Sequence, residues 1–186
     1  MKGMKGMEIR VRQAKPDDIA EVSRLFNEYR MFYGQDSDLE RASSFIQERM
    51  SNQDSIVFIA ECNEGREEGS SSDADIDVNT EVAIQEKHIE ESRVSDTAMG
   101  LIQIYPSYSS VSMGPIWILN DLYVDSKYRQ KGIARKLMQA VMEQAKEQHI
   151  LRISLSTAIS NQQAQALYES EGYTQDQSFM YYECNV

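Results

Sequence analysis

Between Arg129 and Ala134 the chain reads Arg-Gln-Lys-Gly-Ile-Ala, and an amphipathic pattern follows at once. Two cations and a glycine ahead of a helix have the makings of an anion site. The first backbone N–H groups of a helix lack intrahelical partners, and the helix dipole adds partial positive charge there. Gly132 has no Cβ to hold a ligand off the backbone, and it permits a turn closed to other residues. Ala134 is small enough to allow the same approach, while Arg129 and Lys131 add fixed charge. The expected ligand carries a diphosphate. This turn is neither G-x-x-x-x-G-K-[ST] nor G-x-G-x-x-G, because Gly132 is its only glycine. An ordinary strand–helix turn with surface cations is the competing reading.

Elements on either side must position that turn. "IWILNDLYV" (Ile116 to Val124) is a long apolar strand interrupted by Asn120 and Asp121. Ala134, Leu137, Met138, Val141, Met142 and Ala145 form one face of the following helix. "ILRISLST" alternates like a strand, Asn161 to Ser170 reads as a helix, and Gly172 suits its C-terminal stop. "SFMYYECNV" is expected to be a final strand. Upstream, "EIRVR" is a short strand and Pro16 stands at a first helical position ahead of Asp17 and Asp18. Ile19, Val22, Leu25, Phe26 and Tyr29 recur at helical spacing, as do Leu39, Ala42, Phe45, Ile46 and Met50. "SIVFIAEC" and "AMGLIQIYP" are further strands. The order β α α β β β α β α β predicts an α/β fold of the α+β kind: a mixed central sheet flanked by helices.

The chain has 186 residues and a formal net charge of −11, with 41% hydrophobic residues. That suits one domain, residues 8–186, behind a flexible extension, residues 1–7. Eleven acidic and three basic residues between Asn63 and Thr97 give that segment a net of −8. It is expected to be a mobile acidic insertion, 63–97, between two hairpin strands. Nucleic acid and anionic membranes are poor partners for such a charge. Cys62 and Cys184, with His88 and His149, show no metal-ligand spacing, so no metal is expected. The absence of an apolar leader points to the cytoplasm.

The turn resembles the R/Q-x-x-G-x-G/A signature of GNAT (GCN5-related) N-acetyltransferases. The likeness extends to "NDLYVDSKYRQKGIARKLM", to "NQQAQALYESEGY" and to the opening "IRVRQAKPDDIAEVSRLF". "DLYV" is similar in particular to polyamine and histone/polyamine acetyltransferases. The resemblance implies a GNAT-like fold with a splayed strand pair, and acetyl-CoA as cosubstrate. It implies a cytoplasmic N-acetyltransferase acting on a primary amine of a small molecule: a polyamine, an amino acid derivative or a drug-like amine. A protein lysine or N-terminal acetyltransferase and a non-catalytic acyl-CoA sensor are the alternatives. A homodimer is expected by analogy with family members.

Residue by residue, the resemblance gives the cofactor the backbone of Leu122, Tyr123 and Val124, the turn Arg129, Gln130, Lys131, Gly132, Ile133 and Ala134, and Asn161. Asn161 reads equally as a helix N-cap. Tyr168 is the implied general acid for the departing thiolate. Related polyamine enzymes often carry a Glu-Asp pair where this chain has Asn120-Asp121. Asparagine is no base, so Asp121 is the candidate base or substrate anchor, with a structural carboxylate as its alternative. A regular strand would point Asp121 opposite to Asn120, and a bulge would re-aim it. Tyr29, Tyr33 and Asn120 are candidate acceptor-binding residues. Arg30 suits a carboxylate on the acceptor, and Phe32 is expected to pack in the core.

Overall fold

The computed structural model of the chain describes residues 8–63 and 98–186. The expected extension 1–7 and the acidic insertion lie outside the described residues, apart from the last residue of the strand that leads into the insertion.

Period-two apolar patterns set the strands. β1 (Glu8–Gln13), β2 (Ile56–Asn63), β3 (Ala98–Ser109), β4 (Gly114–Val124) and β5 (Ile153–Leu155) lie in that order across one sheet. The first four are antiparallel neighbours, and β5 pairs parallel with β4. A parallel neighbour needs a crossover, supplied here by α3 (Ile133–Glu147). The sheet is therefore mixed, as expected. The two strands flanking the acidic segment, β2 and β3, do pair antiparallel.

Helices cover both faces. α1 (Ile19–Phe32) and α2 (Leu39–Ser51) bury Val22, Leu25, Phe26, Ala42 and Ile46 against Val57, Ile59, Ala98 and Leu101. On the other face, Leu137, Met138, Val141 and Ala145 of α3 pack on Phe58, Ile102, Ile104, Trp117 and Leu119. α4 (Gln162–Ser170) adds Leu167 and Tyr168 at the rim of that second core. Pro16 opens a short 3-10 turn, Pro16–Asp18, where its missing N–H costs nothing. Asp38 caps α2 by accepting from the Arg41 amide at 3.0 Å. Arg12 ties β1 to the turn before α1 and to β2, through Asp18 at 2.7 Å and Glu61 at 2.9 Å. That guanidinium holds the Asp18 carboxyl below the usual range, chiefly by hydrogen bonding.

Three expectations fail. Phe32 is 56% exposed rather than packed in the core, because α1 ends there and its ring faces outward. Leu39 and Phe45 are exposed as well, so the buried stripe of α2 narrows to Ala42 and Ile46. The segment "SFMYYECNV" forms no strand. The Asp176 carboxylate accepts from the Ser178 and Phe179 amides, a local turn, and the chain beyond it is exposed. β5 is only three residues long and offers a short edge for such a strand to join.

Candidate active site

The site grows from one irregularity in β4. Gln103 of β3 pairs with Asp121, but the next residue, Ile104, pairs with Leu119. Asn120 is therefore an extra residue, a bulge. Its effect is a change of face. Before the bulge, Trp117 and Leu119 point into the core beneath α3; after it, Leu122 and Val124 do so. Tyr123 joins the α1/α2 side instead, and so does Asp121. An uninterrupted pleat would have placed Asp121 in the α3 core.

Asp121 is only 3% exposed. Burial pushes its carboxyl above the usual range; hydrogen bonds from the Asn120 side chain and the Tyr29 hydroxyl partly oppose this. Asn120 Nδ2 lies 3.3 Å from Asp121 Oδ1. The Tyr29 hydroxyl also lies 3.5 Å from the Asn120 carbonyl. Burial and the Asp121 charge together drive the Tyr29 phenol upward, and they push Tyr105 up to about 12. Tyr105 and Gln103 come to the site from β3 through the strand register, which sets Gln103 opposite Asp121 and which no local sequence pattern specifies.

Tyr168 of α4 reaches the same place. Its phenol is raised by burial first and then by the neighbouring Tyr33 phenol, and it acts electrostatically on Tyr29 in turn. The rings of Tyr29 and Tyr33 meet edge to face, 5.1 Å apart. Tyr29, Tyr33, Asn120, Asp121 and Tyr168 thus converge from α1, β4 and α4. Arg30, on the adjacent side of α1, has no carboxylate partner among the described residues, and its Nη1 is buried without a hydrogen-bond partner.

The cofactor candidates lie along the same strand. β5 pairs with β4 only at Trp117, Ile118 and Leu119. Beyond Leu119 the two strands part, and the β4 edge at Leu122, Tyr123 and Val124 is paired on the β3 side alone. This is the expected splay. On the β3 side the fit is close: a Cβ on Gly100 would meet the Tyr123 carbonyl at 2.7 Å.

The turn after β4 has the expected conformation. Gly132 caps α3 with φ +78°, and among the described residues no atom beyond its immediate chain neighbours lies within 4 Å of where its Cβ would stand. Gly132 has no side chain to cap the helix start, which leaves its first amides without a side-chain partner from the cap position. Gln130 is also left-handed, at φ 61°. A diphosphate fits this donor set: helix-start amides with no side-chain cap, a glycine in a left-handed conformation that is cheap for glycine alone, and room for a ligand where a Cβ would stand. The two cations are turned aside. Arg129 lies over the rings of Phe32 and Tyr123, at 5.5 and 5.6 Å, and donates to the Val124 carbonyl at 3.1 Å. Lys131 lies 5.2 Å over Tyr128. Asn161 caps α4, accepting from the Ala164 amide at 3.2 Å.

The family described as Acetyltransferase (GNAT) family matches residues 88–173, a span that holds the bulge, the turn and Tyr168. A Bacillus subtilis (strain 168) protein named Uncharacterized N-acetyltransferase YhfO is 35% identical over 95% of this chain and 97% of its own. A crystal structure of a probable acetyltransferase is 30% identical, covers 95% of this chain and 97% of its own, and superposes with a TM-score of 0.76. The aminoglycoside N-acetyltransferase AAC(6')-Iy in complex with CoA shares the fold at a TM-score of 0.65 and 15% identity, with 98% of both chains covered. At these identities and coverages the chain belongs to the GNAT family of acetyl-CoA-dependent acetyltransferases.

Proposed function

We propose that the enzyme acetylates a primary amine on a small molecule, with Asp121 as the base and Tyr168 as the acid. One observation carries this reading: a buried carboxylate is turned by the bulge toward Tyr29, which in turn neighbours Tyr33 and Tyr168. A carboxylate raised by burial takes a proton from an ammonium group more readily than an ordinary one. Asp121 removes that proton, directly or through a water, and frees the lone pair for attack. Tyr29 and Asn120 hold the carboxylate in place. Bound acetyl-CoA supplies the thioester carbonyl and a thiolate leaving group. The raised Tyr168 phenol stays protonated near neutral pH and yields its proton only as negative charge builds on sulfur.

The Gln130–Ala134 amides and the backbone of Leu122 to Val124 are the proposed seats of the diphosphate and the pantetheine arm. Asn161 acts there as the cap that sets the α4 start. Arg129 and Lys131 reach the phosphates once they leave their aromatic contacts. Tyr29, Tyr33 and Asn120 line the acceptor side. The reading places the enzyme in the cytoplasm; no described helix is long and apolar enough to cross a membrane. The test is release of CoA from acetyl-CoA across polyamines, amino acid derivatives, aminoglycoside-type amines and basic peptides. Turnover on small amines is expected. Turnover confined to peptides would transfer the activity to protein acetylation, and cofactor binding without turnover on any amine would leave a sensor.

A further inference from the structure

Gln103 is fully buried, at 0% exposure, and its side-chain amide is only half satisfied. Nε2 donates to the Ser55 hydroxyl at 3.1 Å, while Oε1 has no hydrogen-bond partner. A polar atom sealed from water without a partner is costly and uncommon. The sheet supplies a reason for this one. Ile102 and Ile104 point into the α3 core, so Gln103 between them points to the α1/α2 side, the side that holds Asp121. Gln103 and Asp121 are direct cross-strand partners, and partners so placed have Cβ atoms about 5 Å apart. Ser55 precedes β2, which borders β3 on the edge opposite β4. Ser55 thus draws the nitrogen of the planar amide toward β2 and leaves the oxygen turned toward β4 and Asp121.

The groups already described around Asp121 suit its ionised form. The Asn120 amide and the Tyr29 hydroxyl are donors, and donors hold a carboxylate. A carboxyl that has just taken a proton needs the reverse, an acceptor. We propose, on the reading of Asp121 as the base, that Gln103 is a positioning residue for it: the Gln103 side-chain carbonyl accepts a hydrogen bond from the Asp121 carboxyl once that group holds the amine's proton. One N–H bond of the ammonium breaks and one O–H bond forms on Asp121. The lone pair stays on nitrogen for the attack, and the carboxyl returns the proton to water between turnovers. Before the transfer, the negative end of the Gln103 carbonyl faces the carboxylate and makes it a stronger base; after it, the same oxygen gains its partner. An interaction that forms only as the proton arrives favours the reacting state over the resting one. Tyr29 and Tyr33 of α1, Tyr105 of β3 and Tyr168 of α4 are the other titratable groups gathered here. The Arg49–Asp54 ion pair, at 3.0 Å, lies beyond Tyr105, and Tyr123 with Glu28 stands one pleat along β4. None of these gives Asp121 an ion-pair partner among the described residues.

The experiment is an NMR titration of the full chain, with the Asp121 carboxyl followed by ¹³C and the Gln103 side-chain amide by ¹⁵N, beside the pH dependence of kcat/KM. In the wild type the Gln103 amide signals are expected to shift with the Asp121 midpoint. Gln103→Met, similar in size but without a carbonyl, is expected to lower that midpoint by about one pH unit, a tenfold change in the acid constant. The acid limb of kcat/KM moves down with it, and kcat falls about threefold at unchanged KM. Ser55→Ala frees the amide to turn its nitrogen to Asp121 and is expected to lower the midpoint too. A midpoint that stays in place in Gln103→Met overturns the proposal, since a residue with a purely structural role changes melting temperature alone. A midpoint that rises overturns it as well, since the amide was then a donor. If Gln103→Met does not fold, the wild-type amide signals and Ser55→Ala decide: amide signals that ignore the Asp121 midpoint overturn the proposal. Failure of the base reading looks different. Asp121→Asn then keeps the wild-type kcat, while the NMR midpoints still decide the Gln103 bond.

Discussion

The Tyr29 hydroxyl on α1 donates, at 3.5 Å, to the main-chain carbonyl of Asn120, the extra residue of β4 that turns the buried Asp121 toward it. This bond joins the first helix to the strand that bears the proposed base. The nearby hydroxyl favours the ionised form of Asp121, against the burial that disfavours it.

Asp121→Asn is expected to lower kcat by about a hundredfold or more, the usual contribution of a positioned base. In the wild type, kcat/KM should rise with pH along a limb centred above the ordinary aspartate value of about 3.9. Tyr29→Phe removes a bond to the ionised form, so that limb should move to higher pH. A pH–rate profile of both variants checks this; a limb that stays in place in Tyr29→Phe would separate Asp121 from the chemistry.

The same substitution should stabilise the fold. A carboxyl raised by burial binds its proton more tightly when folded than when unfolded. Stability therefore falls as pH rises from the ordinary carboxylate value to the raised one, and stays lower above it. Asp121→Asn removes that loss. At pH 7 its melting temperature should exceed the wild type's by roughly 2–4 °C, which is about 1 kcal/mol in a chain of this size. Below about pH 3.9 the difference should vanish. Calorimetry at pH 7 and pH 3.5 gives both numbers.

Tyr168→Phe is expected to cut kcat by about 10²-fold while leaving CoA affinity within about twofold. Isothermal titration and steady-state rates together read the two effects. Equal kinetics in the variant would retire Tyr168 as the acid.

Gly132→Val should abolish measurable CoA binding. The left-handed φ of +78° adds strain of about 1–3 kcal/mol, so the fold loses a few degrees too. Gly132→Ala separates the effects: its backbone strain is similar, its intrusion smaller. Binding that survives in both would remove the turn as the diphosphate seat.

The order of elements was legible because it rests on local signals. Pro16 before two aspartates, the apolar stripe of α3 and Gly132 each speak within a few residues. Asn161 as a cap and the left-handed Gly132 follow from the same short-range chemistry. The bulge could be anticipated only as a means of re-aiming Asp121, since its position depends on pairing with Gln103 and Ile104 of a strand well upstream. Tyr105 belongs to the site through that register alone. Phe32 misleads because helical spacing marks a face without saying where the covering helix ends. The tail from Ser178 has strand composition but lacks a long edge beside it, and composition says nothing of edges.

One inserted residue therefore decides which chemistry the strand can perform. Were the same residues drawn into an uninterrupted pleat, Asp121 would rotate beneath α3 and the tyrosines would face the neutral Asn120 amide instead. Efforts to widen the acceptor range can vary the side chains around that kink, but the bulge between Leu119 and Asp121 behaves as a fixed gear ratio.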